Sequence, residues 1–220
     1  MKNVHLVIGL GEVGTGVAEV LSCPGIDKDE KIPTAEVIHI CFPYSNRFVQ
    51  FARKYKIASG ARLAIIHSTI PLGTTRKCGE DFVHSPIRGK HPYLAEGIRT
   101  FVKFFGGPRA REAASYFADI GVRVVTTTSP ENTEAMKLWD TEIYREAILL
   151  NKRIHSYCKE HGLDFDIVYL QANVTYNDGY VKLGNPEYTK YVLQFMDGPI
   201  GGHCLEQNHS LLEREVEKDN

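Results

Sequence analysis

The chain has 220 residues, of which 43% are hydrophobic, and this is enough to bury the core of one large domain or of two modest ones. Its 26 basic and 27 acidic residues give a net charge of -1, which excludes a global field that would recruit nucleic acid or an anionic membrane surface. The five cysteines show neither a C-x-x-C pair nor a zinc spacing, and no stretch approaches the roughly 20 apolar residues of a membrane span. The sequence therefore predicts a globular protein of a reducing compartment, the cytoplasm, without a metal site.

The first 130 residues alternate between strand and helix patterns. Short apolar runs predict strands at 4–10, 36–42, 62–67, 82–84, 100–105 and 122–127, and helical spacing predicts helices at 13–21, 46–55 and 109–120. Strands that alternate with helices imply right-handed crossovers. We therefore expect an α/β fold with a Rossmann-like, mostly parallel sheet.

The pattern changes character after residue 130. Apolar residues recur every three or four positions from 132 to 161, and a helix of that length would be about 45 Å long. Such a helix is longer than a small domain needs, which favours a spine between domains or subunits. Two shorter helices are predicted at 166–176 and 187–196. We expect a cofactor-binding domain at 1–130, an all-helical dimerisation domain at 131–212 and a charged tail at 213–220.

The glycine-rich segment Gly9-Leu-Gly-Glu-Val-Gly14 lies between the first strand and the first helix. In a dinucleotide-binding loop the first glycine permits a tight turn, the second lets the backbone approach a pyrophosphate, and the third lets helix and strand pack closely. The helix N-terminus then favours the anion. The alternative is a tight turn without a ligand, but the position between strand and helix favours nucleotide binding.

An acidic residue is expected about 20 positions after the glycines, where it would bond the ribose hydroxyls. Only fourteen residues separate Leu21 from Glu36, which leaves room for one short strand and no crossover helix. Asp27 follows the candidate strand residues Gly25 and Ile26 and is the candidate ribose ligand, which favours NAD over NADP. A solvated loop is an equally good interpretation of Asp27 from spacing alone.

The segment Gly198-Pro-Ile-Gly-Gly-His-Cys204 presents one cysteine after a glycine-rich turn. A thiolate can act as a nucleophile where backbone donors or a cation such as Lys137 lower its pKa. From spacing alone, however, a single cysteine is more often a small buried hydrophobe. Lys137 likewise reads as a solvated cation on a helix.

Several of these segments together resemble the UDP-glucose/GDP-mannose dehydrogenase family, which includes the UDP-N-acetylmannosamine dehydrogenases. The matching segments, in the order seen in that family, are Gly9-Leu-Gly-Glu-Val-Gly14, Ser68-Thr-Ile-Pro-Leu-Gly-Thr-Thr75, Tyr93-Leu-Ala-Glu-Gly97, Lys137-Leu-Trp139 and Gly198-Pro-Ile-Gly-Gly-His-Cys204. The resemblance implies NAD-dependent oxidation of a primary alcohol on a sugar nucleotide through a cysteine thiohemiacetal and thioester. It also implies a homodimer formed through the helix at 132–161.

The resemblance assigns Cys204 as the nucleophile, Thr69 as a neighbour of nicotinamide and the catalytic water, and Lys137 as the oxyanion donor. Thr141 and Asn208 occupy catalytic positions where the family has asparagine and aspartate. The residues expected to bind the cofactor are Gly9, Gly11, Glu12, Val13, Gly14, Asp27, Pro43, Ser68, Thr69 and Glu96.

Other departures bear on turnover. Ile87 stands where the family has a glutamate, and Glu206 stands where it has a proline. The sequence ends soon after Cys204, so the resemblance implies a form without the C-terminal nucleotide-sugar-binding domain. An NAD-dependent enzyme is therefore the main hypothesis, and a catalytically impaired, NAD-binding dimer with a regulatory or interaction role is the alternative.

Overall fold

The computed structural model describes residues 3–28, 30–89, 92–200 and 203–216, with side chains for all of these except 3, 203, 204 and 214–216. The chain divides into two compact units. The first runs to Leu138 and takes in the described residues from Arg214 onward, and the second is Trp139–Glu213. No helix within the described residues is long and apolar enough to cross a membrane.

The first unit is built on a seven-stranded sheet. Its strands are β1 Asn3–Ile8, β2 Gly25–Ile26, β3 Ala35–Ile40, β4 Leu63–Ile66, β5 Phe82–His84, β6 Lys103–Gly106 and β7 Val124–Thr127. Their order across the sheet is β2-β1-β3-β4-β5-β6-β7. Neighbouring strands are parallel except β5 and β6, which are antiparallel. The predicted α/β, mostly parallel fold is confirmed.

Five helices cover the two faces of this sheet. They are α1 Glu12–Leu21, α2 Phe48–Ser59, α3 Thr74–Cys78, α4 Leu94–Thr100 and α5 Ala110–Ala118. One core cluster joins α1, α4 and α5 to the sheet, and a second joins α2 and α3 to its other face. Burial on both faces explains why the strands read as apolar runs rather than as alternating patterns.

Two short helices, α3 and α4, escaped the sequence prediction. The strand expected at 100–105 begins only at Lys103, because the chain before it forms α4. Helix α4 packs against α1 at Gly16, where an added Cβ would stand 3.2 Å from the Cβ of Leu94. This close contact between helices that are distant in sequence fixes α4, and local spacing does not reveal it.

Helix α6, Pro130–His161, begins in the first unit and continues into the second. Its first turn is anchored by Glu134, whose fully buried carboxylate accepts hydrogen bonds from the backbone N–H groups of Gly73 (2.6 Å) and Thr75 (2.8 Å) at the start of α3. Beside it, Glu131 forms a two-pronged ion pair with Arg76. These bonds fix the segment after β4 against the start of α6.

The rest of the second unit has helices and irregular segments. After α6 come a π-helical turn at Asp166–Gln171, α7 Ala172–Lys182, a 3₁₀ turn at Pro186–Tyr188 and α8 His203–Val216. Helix α8 was not predicted, and it extends into the segment 213–220 that was interpreted as a tail.

The helix predicted at 187–196 is wrong beyond its first turn. Side chains of α6 and α7 bind three backbone carbonyls of this segment: Asn151 donates to Leu193 O, Lys152 donates to Met196 O, and Asn177 donates to Lys190 O. These bonds supply the backbone with partners from outside the segment, which is not helical after Tyr188.

Candidate functional site

The glycine loop connects β1 to α1 at the carboxyl end of the sheet. Gly9 has φ +95°, a conformation that a side chain would strain. A Cβ on Gly14 would stand 1.8 Å from the carbonyl oxygen of Gly9, so a side chain there collides with backbone. A Cβ on Gly11 would meet no atom within 4 Å. The loop thus has two glycines required by its own packing and one that leaves the start of α1 open to a ligand.

A cavity of about 430 Å³ opens next to this loop. It lies at the carboxyl ends of β1 and β3. Strand β2 pairs with one side of β1, and β3 pairs with the other side, so the strand order reverses at this point. Such a reversal of strand order is where ligands bind in open α/β sheets. Its lining residues include Gly9, Asp27, Lys28, Pro43, Arg47 and Tyr55. Three of the residues predicted to bind cofactor, Gly9, Asp27 and Pro43, therefore meet at one cavity.

Asp27 also has a structural role. One oxygen of its carboxylate accepts a hydrogen bond of 2.8 Å from the backbone N–H of Leu10, inside the glycine loop. The residue comes directly after β2, the short strand for which the spacing left room. Asp27 thus holds the glycine loop from the neighbouring strand while it lines the cavity.

The cations at the cavity, Lys28 and Arg47, were missed by the sequence analysis. Arg47 stacks over the ring of Phe51 at 4.8 Å and donates to Gln50, so its guanidinium is held at the start of α2. Two cations beside one carboxylate offer a phosphate partner as well as a ribose partner.

The other predicted cofactor residues of the first unit occupy varied positions. Ser68, the second residue after β4, is buried, and its hydroxyl donates to the carbonyl of Phe42 at 2.6 Å. Thr69 follows it and is half-buried, as is Val13 on α1. Glu12 and Glu96 are exposed on α1 and α4. The contacts of Ser68 show it joining β3 to β4, whereas Thr69 retains partial solvent access at the carboxyl edge of the sheet.

A buried polar cluster beneath this edge was not predicted. Nε2 of His84 lies 3.1 Å from the carbonyl of Ser68, and Nδ1 lies 2.9 Å from the hydroxyl of Thr133 on α6. Burial, reinforced by the charges of Lys103 and Lys137, lowers the pKa of His84 to about 3. The imidazole is therefore neutral at pH 7. The sequence does carry a signal for it, since histidines interrupt otherwise apolar strand patterns.

The predicted site residues of the second unit lie where α8 packs on α6. The side-chain amide of Asn208 is buried and donates to the hydroxyl of Thr141 at 3.3 Å. At the next residue of each helix, Nδ1 of His209 lies 3.0 Å from the carboxylate of Glu142. Cys204 is the second residue of α8, and its side chain lies outside the described part of the chain.

Comparison with solved structures finds proteins of the same fold. The chain superposes on the UDP-D-ManNAc dehydrogenase of Pyrococcus horikoshii with a TM-score of 0.75 at 19% identity, covering 94% of this chain. It superposes on a UDP-glucose dehydrogenase of Pyrobaculum islandicum with a TM-score of 0.70 at 14% identity, covering 99%. The resemblance to nucleotide-sugar dehydrogenases is confirmed at the level of the fold.

The same fold occurs in a dehydrogenase of another substrate class. The 3-hydroxyisobutyrate dehydrogenase of Mycobacterium tuberculosis, solved with L-serine, superposes with a TM-score of 0.71 at 15% identity, covering all of this chain and 88% of its own. By contrast, this chain spans 63% and 65% of the two nucleotide-sugar dehydrogenases. No protein-family model and no curated protein sequence matches the chain.

Proposed function

We propose that the chain is an NAD-dependent oxidoreductase that oxidises a primary alcohol of a sugar nucleotide or a related substrate. The observation that carries the proposal is the glycine loop at the cavity beside β1 and β3, in a fold shared with nucleotide-sugar dehydrogenases. The open position at Gly11 and the N-terminus of α1 fit a pyrophosphate, and Asp27 fits the adenosine ribose. In this proposal residues 1–130 bind the cofactor.

The bound cofactor would supply the hydride acceptor, and the chain would supply the nucleophile and the oxyanion donors. Hydride loss from the alcohol carbon, with release of the hydroxyl proton, gives an aldehyde. The thiolate of Cys204 then forms a bond to the aldehyde carbon while the oxygen takes up a proton, which produces a thiohemiacetal. A second hydride loss, to a second molecule of oxidised cofactor and with release of the hydroxyl proton, would give a thioester. Water would then cleave its C–S bond to release the carboxylate and the thiol. Lys137 would stabilise the developing oxyanion, and Thr69 would contact nicotinamide and the attacking water.

A second candidate function is an NAD-binding module without turnover. The contacts around the substituted family positions favour it. Asn208 and Thr141 bond to each other, and neither can act as a general base. Ile87, at the position of a family glutamate, is 6% exposed and packs in the core of the first unit. The thioester hydrolysis step therefore lacks the two carboxylic acids that the family has at the positions of Ile87 and Asn208. Their absence favours either a reaction that ends at the aldehyde or a regulatory role without turnover.

The enzyme proposal predicts that purified protein forms NADH in the presence of UDP-glucose or UDP-N-acetylmannosamine. Cys204→Ala should lower the rate of the second hydride transfer, which forms the thioester, by about 1,000-fold or more, as expected for loss of a nucleophile. The measurement is absorbance of NADH, with NAD and NADP tested in parallel and 3-hydroxyisobutyrate as an additional substrate.

Cys23→Ala is the matched control, because Cys23 is partly exposed in the first unit and has no role in the proposed reaction. NAD binding without NADH formation on any of these substrates would establish the regulatory candidate. Turnover of 3-hydroxyisobutyrate that survives Cys204→Ala would place the activity in the hydroxy acid class instead.

We further propose a homodimer formed through α6. Four large apolar side chains of this helix are about half exposed: Trp139 (51%), Ile143 (63%), Leu150 (49%) and Tyr157 (53%). At 100° per residue these positions lie within about 40° of one another, so they form one apolar stripe along roughly 27 Å of helix. An exposed stripe of this length marks an interaction surface, and a seven-residue repeat suits pairing with the same helix of a second copy.

The dimer proposal predicts a molecular mass in solution twice that of one chain. Ile143→Glu places a charge in the stripe and should shift the protein to monomers, as measured by light scattering coupled to size-exclusion chromatography. Ile57→Glu is the control, because Ile57 is 79% exposed on α2 and is not part of the stripe. A monomeric wild-type protein at high concentration would rule out this interface.

A further inference from the structure

A chain of three histidines crosses the sheet of the first unit. Nδ1 of His5 on β1 lies 3.0 Å from Nε2 of His39 on β3, and Nδ1 of His39 lies 3.0 Å from Nε2 of His67 after β4. Nδ1 of His67 lies 2.7 Å from the carbonyl oxygen of Ser85. His39 and His67 are almost fully buried, whereas His5 is half-buried next to Tyr116.

The carbonyl of Ser85 fixes the protonation pattern of the whole chain. A carbonyl oxygen only accepts, so Nδ1 of His67 carries a proton and donates it. Nε2 of the neutral His67 ring then accepts from Nδ1 of His39, and Nε2 of His39 accepts from Nδ1 of His5. Burial lowers the pKa values of His39 and His67 well below the ordinary value, with the charge of Lys103 acting in the same direction, so both rings are neutral. All three N–H groups therefore point the same way, toward Ser85.

The inner end of the chain meets the side chain of Lys103 on β6. Its Nζ lies 3.3 Å from Nδ1 of His67 and donates to the carbonyls of Ser85 (3.0 Å) and Pro86 (3.5 Å). The residue is 4% exposed, and the rings of Phe105 and Phe117 pack over the nitrogen at 5.5 and 5.2 Å.

Lys103 is poised to lose or gain a proton. Burial lowers the pKa of Lys103 to about 7, a lowering that the Cys41 thiol opposes and the charge of Lys137 reinforces. No carboxylate of the described residues forms an ion pair with it. A neutral amine has two protons for the two carbonyls and one lone pair, and the lone pair is left for the N–H of His67.

We propose that His5, His39 and His67 form a proton relay that connects solvent at the half-buried His5 with the buried amine of Lys103. When a proton arrives at Nε2 of His5, the Nδ1 proton of His5 passes to His39, that of His39 passes to His67, and that of His67 passes to Lys103. One proton has then moved from water to the amine, and each ring has exchanged an Nδ1 proton for an Nε2 proton. The reverse sequence restores the starting state, and no electrons are transferred.

The relay is a property of the first unit and is tested without cofactor or substrate. In wild-type protein labelled with ¹⁵N and held at about pH 9, the Lys103 amine is neutral because burial lowers its pKa to about 7. Nuclear magnetic resonance should then detect scalar couplings across the His5–His39 and His39–His67 hydrogen bonds, with protons on Nδ1 of His39 and His67. At that pH, absence of both couplings, or protons on Nε2 of these rings, would overturn the proposal. This measurement needs no variant and so does not depend on whether a variant folds.

The second measurement is the exchange rate of the Lys103 amine protons with water in ¹⁵N-lysine-labelled protein. His39→Phe interrupts the chain, and we expect it to slow this exchange by at least about tenfold, because the hydrogen-bonded path from His5 to His67 runs through His39. His84→Gln is the matched control, since His84 is equally buried but bonds to Ser68 and Thr133, outside the relay. An unchanged or faster rate in His39→Phe, or equal slowing in both variants, would disprove the relay.

Discussion

Gly14→Ala is expected to lower the free energy of unfolding by about 3 kcal/mol or more. The added methyl group would stand 1.8 Å from the carbonyl oxygen of Gly9, and neither backbone segment can yield without separating α1 from β1. Chemical denaturation followed by circular dichroism measures the loss. A loss below about 1 kcal/mol would mean that the loop is not packed against the helix as described.

Gly11→Ala is the matched variant, because its methyl group would meet no atom within 4 Å and its φ of -67° suits alanine. Because Gly11 is the N-cap of α1, where alanine is less favourable than glycine, we expect a loss of folding stability of no more than about 1 kcal/mol. NAD affinity should nevertheless fall, since the methyl group occupies the position where the backbone would approach the pyrophosphate. Calorimetric titration with NAD gives the comparison. Unchanged NAD affinity in a folded Gly11→Ala protein would contradict the assigned binding mode.

Mild acid is expected to destabilise the protein steeply, with a slope approaching about 4 kcal/mol per pH unit below pH 6. His39, His67 and His84 are buried and neutral, and burial lowers the pKa of each below the ordinary value. Unfolding therefore takes up as many as three protons. Urea unfolding at several pH values between 7 and 5 measures the slope, and His84→Gln should reduce it by about one third.

The sign and the pH window follow from these shifts. In the unfolded state the three histidines titrate near pH 6.5, whereas in the folded state they stay neutral to lower pH. The unfolded state therefore binds more protons below pH 6.5, and the free energy of unfolding falls as the pH falls. Asp81 and Glu131, whose pKa values are lowered by Lys56 and Arg76, contribute only below about pH 5. Burial raises the pKa of Glu134, which opposes the histidines by at most one proton. A flat profile between pH 7 and 5 would show that the histidines are hydrated.

The sequence predicts the parts of the fold whose signals are local. The apolar runs of β3 and β4, the glycine punctuation before α1 and the apolar spacing of α6 each reflect contacts within one element or with its immediate neighbours. Helix α4 depends instead on a close contact with Gly16 on α1, and the non-helical segment after Tyr188 depends on donors from α6 and α7. Those partners are distant in sequence, so the spacing of apolar residues within the segment does not predict these contacts.

In the candidate site, too, the sequence predicts some residues from local patterns and misses others. Gly9, Asp27 and Pro43 were predicted from their position relative to strands, and the carboxyl ends of parallel strands bring them to one cavity. Lys28 and Arg47 line that cavity because of how the loop after β2 and the start of α2 are placed, which no motif encodes. The roles of Cys204, Lys137 and Thr69 rest on the family resemblance and stay predictions for the proposed experiments.

Strand β2, with only two residues, forms one lateral boundary of the sheet. An unprotected edge strand can form backbone hydrogen bonds with a strand of another molecule. A very short edge strand limits the number of residues that can pair in this way. At the opposite boundary, β7 has four residues and a half-exposed Val125. If this protein forms fibrous aggregates, we expect strand addition to begin at β7. Val125→Lys should then suppress aggregation by placing a charge on this edge strand.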